Sequence, residues 1–77
     1  MALVYLTKVV PERNQRRYYS LQVVRGLFDD WGLVREWGRI GRSGRTRTDW
    51  FATKADANTA RGLLGKQKNK RGYQETR

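Results

Sequence analysis

The chain has 77 residues, enough for one domain whose small core buries only about 60% of the surface its unfolded form exposes. At 38% hydrophobic it is too apolar for a disordered tail, and it lacks both cysteine and histidine, which excludes disulfides, thiolate chemistry and the usual neutral-pH base and metal ligand. Seventeen Lys+Arg against seven Asp+Glu give a formal charge of +10, and twelve of the seventeen are arginine, whose planar fork grips phosphate bidentately, so a polyanionic partner is favoured over charge kept for solubility.

"LVYLTKVV" (3–10) is rich in β-formers, and Pro11, lacking a ladder donor, ends it. The N-terminal stretch has neither the basic start nor the cleavage site of a signal peptide, and no apolar run approaches the roughly 18 residues that span a bilayer. The sequence therefore predicts a soluble intracellular protein, nucleoid-associated if bacterial, with no membrane partner. "PERNQRR" (11–17) reads as a polar connection carrying three arginines. "YYSLQVVRGL" (18–27) alternates: Tyr19, Leu21 and Val23 take one face, Tyr18, Ser20, Gln22 and Val24 the other, so one tyrosine at most is expected in the core. "FDDWG" (28–32) supplies a turn, "WGLVREWGRIG" (31–41) a third strand, and "RSG" (42–44) a hairpin into "RTRTDWFAT" (45–53). Trp31 and Trp50 are read as core or sheet-edge residues.

"TKAD" (53–56) then has the Ser/Thr-x-x-acid pattern of a helix start, with Thr53 as cap. Ala57, Ala60 and Leu64, with Leu63 beside them, form a modest apolar stripe, interrupted by Gly62 and Gly65. The helix is predicted to end between Gly65 and Asn69, with the chain ordered over about 3–73 and frayed over 74–77. Four or five short strands and one late helix predict an α+β domain, a small antiparallel sheet with the helix packed on one face. Such a sheet leaves its other face wet and available for function.

The stretch "REWGRIGRSGR" (35–45) concentrates guanidinium groups around one indole. Strand alternation puts Arg35, Trp37 and Arg39 on one face, with Arg42 in the next turn and Arg45 and Arg47 leading out along the neighbouring strand. A tryptophan between arginines is a poor core residue, since burial would take an unpaired charge inside, and a good stacking residue for a base or sugar. Gly38 and Gly41 admit two readings, close approach of another backbone or a bulge and hairpin bend. Lys66, Lys68, Lys70 and Arg71 form a basic helix end, read as phosphate contacts or as cations suited to the dipole.

"LVREWGRIG" closely resembles the signature of the WGR domain, and "YYSLQVV", "TDWF", "ADA" and "KNKRGY" follow the order of that family. The resemblance spans about residues 3–73. It implies a central antiparallel sheet flanked by a helix, and contact with DNA near a strand break, as in DNA-damage-activated poly(ADP-ribose) polymerases. It further implies that Trp37 meets a terminal nucleotide, that Arg39 contacts phosphate or a protein partner, and that Lys68 helps hold the backbone. The expected function is DNA binding without sequence preference, at ends or nicks, in DNA repair. RNA is a less favoured ligand, because no pair of aromatics stands on adjacent central strands. The alternative is a protein-interaction adaptor using the same Arg/Trp surface.

No catalytic constellation is expected. Glu36, Asp49 and Asp56 stand singly, Asp29 and Asp30 share a turn without a base, and no cofactor or metal site is predicted.

Overall fold

A computed structural model describes residues 3–75 of the chain. Four strands, β1 (Leu3–Val10), β2 (Gln15–Arg25), β3 (Trp31–Arg39) and β4 (Arg45–Phe51), lead into one helix, α1 (Lys54–Lys70), and a short strand β5 (Gln74–Glu75). The sheet is antiparallel with order β4-β3-β2-β1-β5, and α1 packs on one face of it, the α+β arrangement expected. Gln74 and Glu75 pair with Thr7 and Leu6 in a stretch predicted to fray, while residues 76 and 77 lie outside the described residues.

Alternation decides what α1 covers. Leu6, Tyr19, Leu21, Val23 and Leu33 point to the helix side and, with Ala57 of the helix, form the buried core. Ala60 and Leu64 extend the helical stripe onto this core, while Leu63 remains exposed. Thr53 caps α1 as its sequence pattern predicts, its hydroxyl accepting from the Asp56 N–H at 3.1 Å. The helix runs to Lys70, one residue past the expected range.

Both tyrosines of the "YY" pair are buried, although they face opposite sides, which corrects the expectation of one at most. On the outer side Tyr18 stacks on Tyr5 at 5.8 Å, and its hydroxyl donates to Glu36 Oε2 at 3.0 Å. Burial and then this carboxylate push the Tyr18 phenol above its ordinary pKa. No bulge interrupts β3. A Cβ on Gly38 would come within 2.9 Å of Gly44 Cα, and Gly41 has φ +88°, so these glycines serve the close hairpin. Trp31 is half-buried against the core, and Trp50 lies on the outer face over Gly32.

Candidate nucleic-acid interface

The α1 helix ends over Tyr19, and the sheet continues beyond it. The residues there are set by register: the half-buried Lys8 lies opposite Arg17, and Arg17 opposite Arg39, both arginines exposed, and all three are on the helix-side face. Directly opposed like charges destabilise a sheet, and no described acid forms an ion pair with any of these three. Two residues inward along β3, on the same face, stands Trp37, opposite Tyr19.

A cleft of about 400 Å³ opens beside this row. One wall is the one-turn 3₁₀ helix Pro11–Arg13 and the start of β2, contributing Arg13, Asn14, Arg16 and Arg17. Trp37, Gly38 and Arg39 form the other, with Tyr73 completing the lining after α1. Pro11, at the first position of the turn, presets its φ, and Asn14 leaves it in the left-handed region with φ 50°. Arg39 reaches across and donates to Asn14 O at 3.3 Å and Asn14 Oδ1 at 3.4 Å, which links the two walls.

Trp37 lies on the helix-covered side of the sheet, not on the wet face expected to be available for function. It is half-buried, with its ring stacked on Tyr19 at 5.7 Å and 14°, so adjacent central strands do carry a pair of aromatics, which corrects the expectation that weighed against RNA. Tyr19 also meets Tyr73 edge-on at 6.3 Å, and Lys68 Nζ sits 4.4 Å from the Tyr19 ring centroid. Burial, followed by the nearby Arg71 and Arg35 charges, lowers the pKa of Lys68. The site is thus an aromatic cluster edged by cations.

Of the residues predicted to bind, Trp37, Gly38 and Arg39 line the cleft, and Lys68 joins them through Tyr19 and Tyr73. Arg35 turns away. Its guanidinium is bound to Asp49 Oδ2 at 3.1 Å and donates to the Tyr19 hydroxyl at 3.4 Å, with only 16% of the side chain exposed. The unpaired charge that argued against burial is therefore absent, because Asp49 neutralises it. Arg47 pairs with the same carboxylate at 3.0 Å. Arg42 and Arg45 are exposed outside the cleft lining, as are Lys66, Lys70 and Arg71 on the solvent side of the helix end. The sequence reading missed Lys8, Arg13, Asn14, Arg16, Arg17, Tyr19 and Tyr73 as site residues. The three arginines of 11–17 were a signal, but only the pairing of Arg17 with Arg39 brings them to Trp37.

Asp49→Ala is expected to destabilise the fold by about 1–3 kcal/mol, because it leaves the Arg35 guanidinium half-buried with its Nε already lacking a partner. Urea denaturation should show a much smaller change, within about 0.5 kcal/mol, for Arg47→Ala, whose side chain is 65% exposed. Equal effects would mean that Asp49 does not hold Arg35.

The family model for the WGR domain matches residues 2–77. The chain belongs to the WGR domain family. Its Trp-Gly-Arg tripeptide is Trp37, Gly38 and Arg39, the three consecutive β3 residues of the cleft. WGR domains are nucleic-acid-binding modules in poly(ADP-ribose)-polymerase-like proteins. This WGR domain is 40% identical over 70 residues to uncharacterized protein y4dW of Sinorhizobium fredii (strain NBRC 101917 / NGR234). That alignment takes in 91% of the chain and 34% of the relative, so the chain spans about a third of the length of the protein it matches. Among the described residues no cluster of acids is arranged to hold a metal ion, and no helix is long and apolar enough to cross a membrane.

Proposed function

We propose that this WGR domain binds DNA without sequence preference, gripping backbone phosphates through Lys8, Arg17 and Arg39 and laying Trp37 against a nucleotide exposed at an end, nick or unpaired site. The observation that carries this reading is the like-charged row Lys8, Arg17 and Arg39 beside a half-buried, ring-supported indole. Opposed cations destabilise the free protein, and a polyanion relieves that repulsion. The cleft adds Arg13 and Arg16 to its lining, while Lys68 reaches the same cluster from the helix. Arg42, Arg45, Lys66, Lys70 and Arg71 supply the wider positive field that steers encounter. A place in DNA repair follows if ends or nicks are the preferred substrate.

The test is a competition among closed circular, blunt linear, nicked and single-stranded DNA of equal length, with RNA as a further competitor. Nicked and linear DNA should win. On duplex DNA, log K should fall with log salt by about 0.9 for each phosphate neutralised, and Arg17→Gln and Arg39→Gln should each reduce that slope by about one contact. Weak attraction, indifferent to DNA structure at physiological salt, would overturn this reading in favour of the protein-adaptor alternative, in which Arg39 and Trp37 dock on an acidic partner.

A further inference from the structure

We infer that Lys68 forms a Schiff base with the C1′ aldehyde of an abasic site in bound DNA. The inference rests on the DNA-binding reading and adds a covalent step to it. Lys68 lies against the aromatic cluster, its Nζ 4.4 Å from the Tyr19 centroid and 5.9 Å from that of Tyr73. Tyr73 lines the cleft, and Tyr19 backs Trp37, so the amine stands one ring away from the stacking surface. No described carboxylate pairs with it. Burial, then the Arg71 and Arg35 charges, lowers its pKa from the ordinary lysine value, which raises the share of the free amine that a nucleophile requires.

An abasic nucleotide suits this arrangement on two counts. Its missing base leaves a gap in the stack that an indole can fill, and a damaged nucleotide is the least costly to displace from the duplex. Its ring-opened sugar presents an aldehyde, which an ordinary nucleotide lacks. The Nζ lone pair bonds to C1′ while the carbonyl π pair moves to oxygen. A proton then passes from nitrogen to that oxygen, giving a carbinolamine. The hydroxyl takes a proton from solvent and leaves as water, and the C=N bond forms, protonated at nitrogen. No metal, cofactor or oxidant is needed.

The experiment treats the protein with cyanoborohydride, which reduces the imine to a stable amine, in the presence of a duplex carrying one abasic site. A second arm uses 2-deoxyribose 5-phosphate as the aldehyde, and a duplex with the unreactive tetrahydrofuran analogue measures binding alone. The wild type should form a covalent adduct that peptide mapping locates on Lys68. Lys68→Arg keeps the charge and should lower the adduct per bound complex by at least about tenfold. Lys54→Arg, which alters a lysine over Trp31 at the far end of the helix, should leave the yield unchanged. An adduct on the Met1 amine or another lysine, or one that survives in Lys68→Arg, overturns the inference. Binding to the tetrahydrofuran duplex with no adduct in either aldehyde arm also overturns it and leaves the DNA-binding reading standing. Failure to bind that duplex overturns both.

Discussion

Replacing Trp37 with alanine is expected to weaken binding to nicked or blunt-ended DNA by about 1–3 kcal/mol, or about five- to 150-fold, and to change binding to closed circular DNA far less. The difference follows from where the indole sits. One part of the ring is committed to Tyr19 at 5.7 Å, while the residue lines the cleft and stays half-buried in the free protein. On the proposed reading, a continuous duplex would offer the cleft only its backbone, which the arginines would contact whether or not the indole is present. An end or nick exposes the face of a nucleotide, and only there does the ring gain a stacking partner. Trp37→Phe keeps a smaller ring in the same position and should recover part of the loss. Because truncation also strips a contact from the core edge, thermal denaturation of each variant fixes the temperature at which binding is compared. Parallel losses on closed and nicked DNA would remove the indole from recognition.

The sequence carried the elements of this fold well and the assignment of its faces poorly. Thr53 and Asp56 announce the helix start through local capping chemistry, and alternation correctly groups Arg35, Trp37 and Arg39. Which side of β3 meets the helix is not a local property. Apolar residues stand on both sides, Leu33 with the arginines and Val34 opposite, so the strand's own pattern is indecisive. The buried position of Leu33 beneath the helix settles the face, and Asp49, two residues before Phe51 on β4, makes it tolerable for Arg35. The second buried tyrosine was hidden for the same reason: Tyr18 is covered by Tyr5 from another strand. Strand β5 has two residues and depends on pairing with Leu6 and Thr7, leaving no periodicity to detect.

The same non-local logic explains why the cleft could not be read along the chain. Residues 11–17 look like a basic connection until antiparallel register sets Arg17 against Arg39. Around Arg35 and Arg47 the fold answers positive charge with Asp49, but no described acid forms an ion pair with Lys8, Arg17 or Arg39. That contrast separates arginines paired with an acid in the sheet from those that the proposed DNA-binding reading draws on. Their sequence neighbourhoods alone do not, since Arg35 and Arg39 flank the same tryptophan.

Tyr19→Ala is expected to give the largest loss of stability, about 3–5 kcal/mol, a major fraction of the 5–15 kcal/mol typical of a whole domain. Tyr19 is 5% exposed and touches core and site at once: Trp37 stacks on it, Tyr73 meets it edge-on, Lys68 sits over its ring, and Arg35 donates to its hydroxyl. Removing the ring leaves a cavity that a sheet residue cannot readily collapse into, and takes away the support of both the indole and the amine. Tyr19→Phe keeps the ring and gives up only a long 3.4 Å hydrogen bond from an arginine that Asp49 still holds, so its loss should stay near or below about 1 kcal/mol. Tyr19→Leu separates the two roles. It retains apolar volume in the core but offers Trp37 no flat surface, so it should fold and yet lose much of the preference for nicked over closed DNA. Urea denaturation with an unchanged slope, followed by the binding competition, distinguishes the three variants. A Tyr19→Leu protein that folds and keeps the full nick preference would show that Trp37 needs no support from beneath, and that the aromatic cluster serves the core alone.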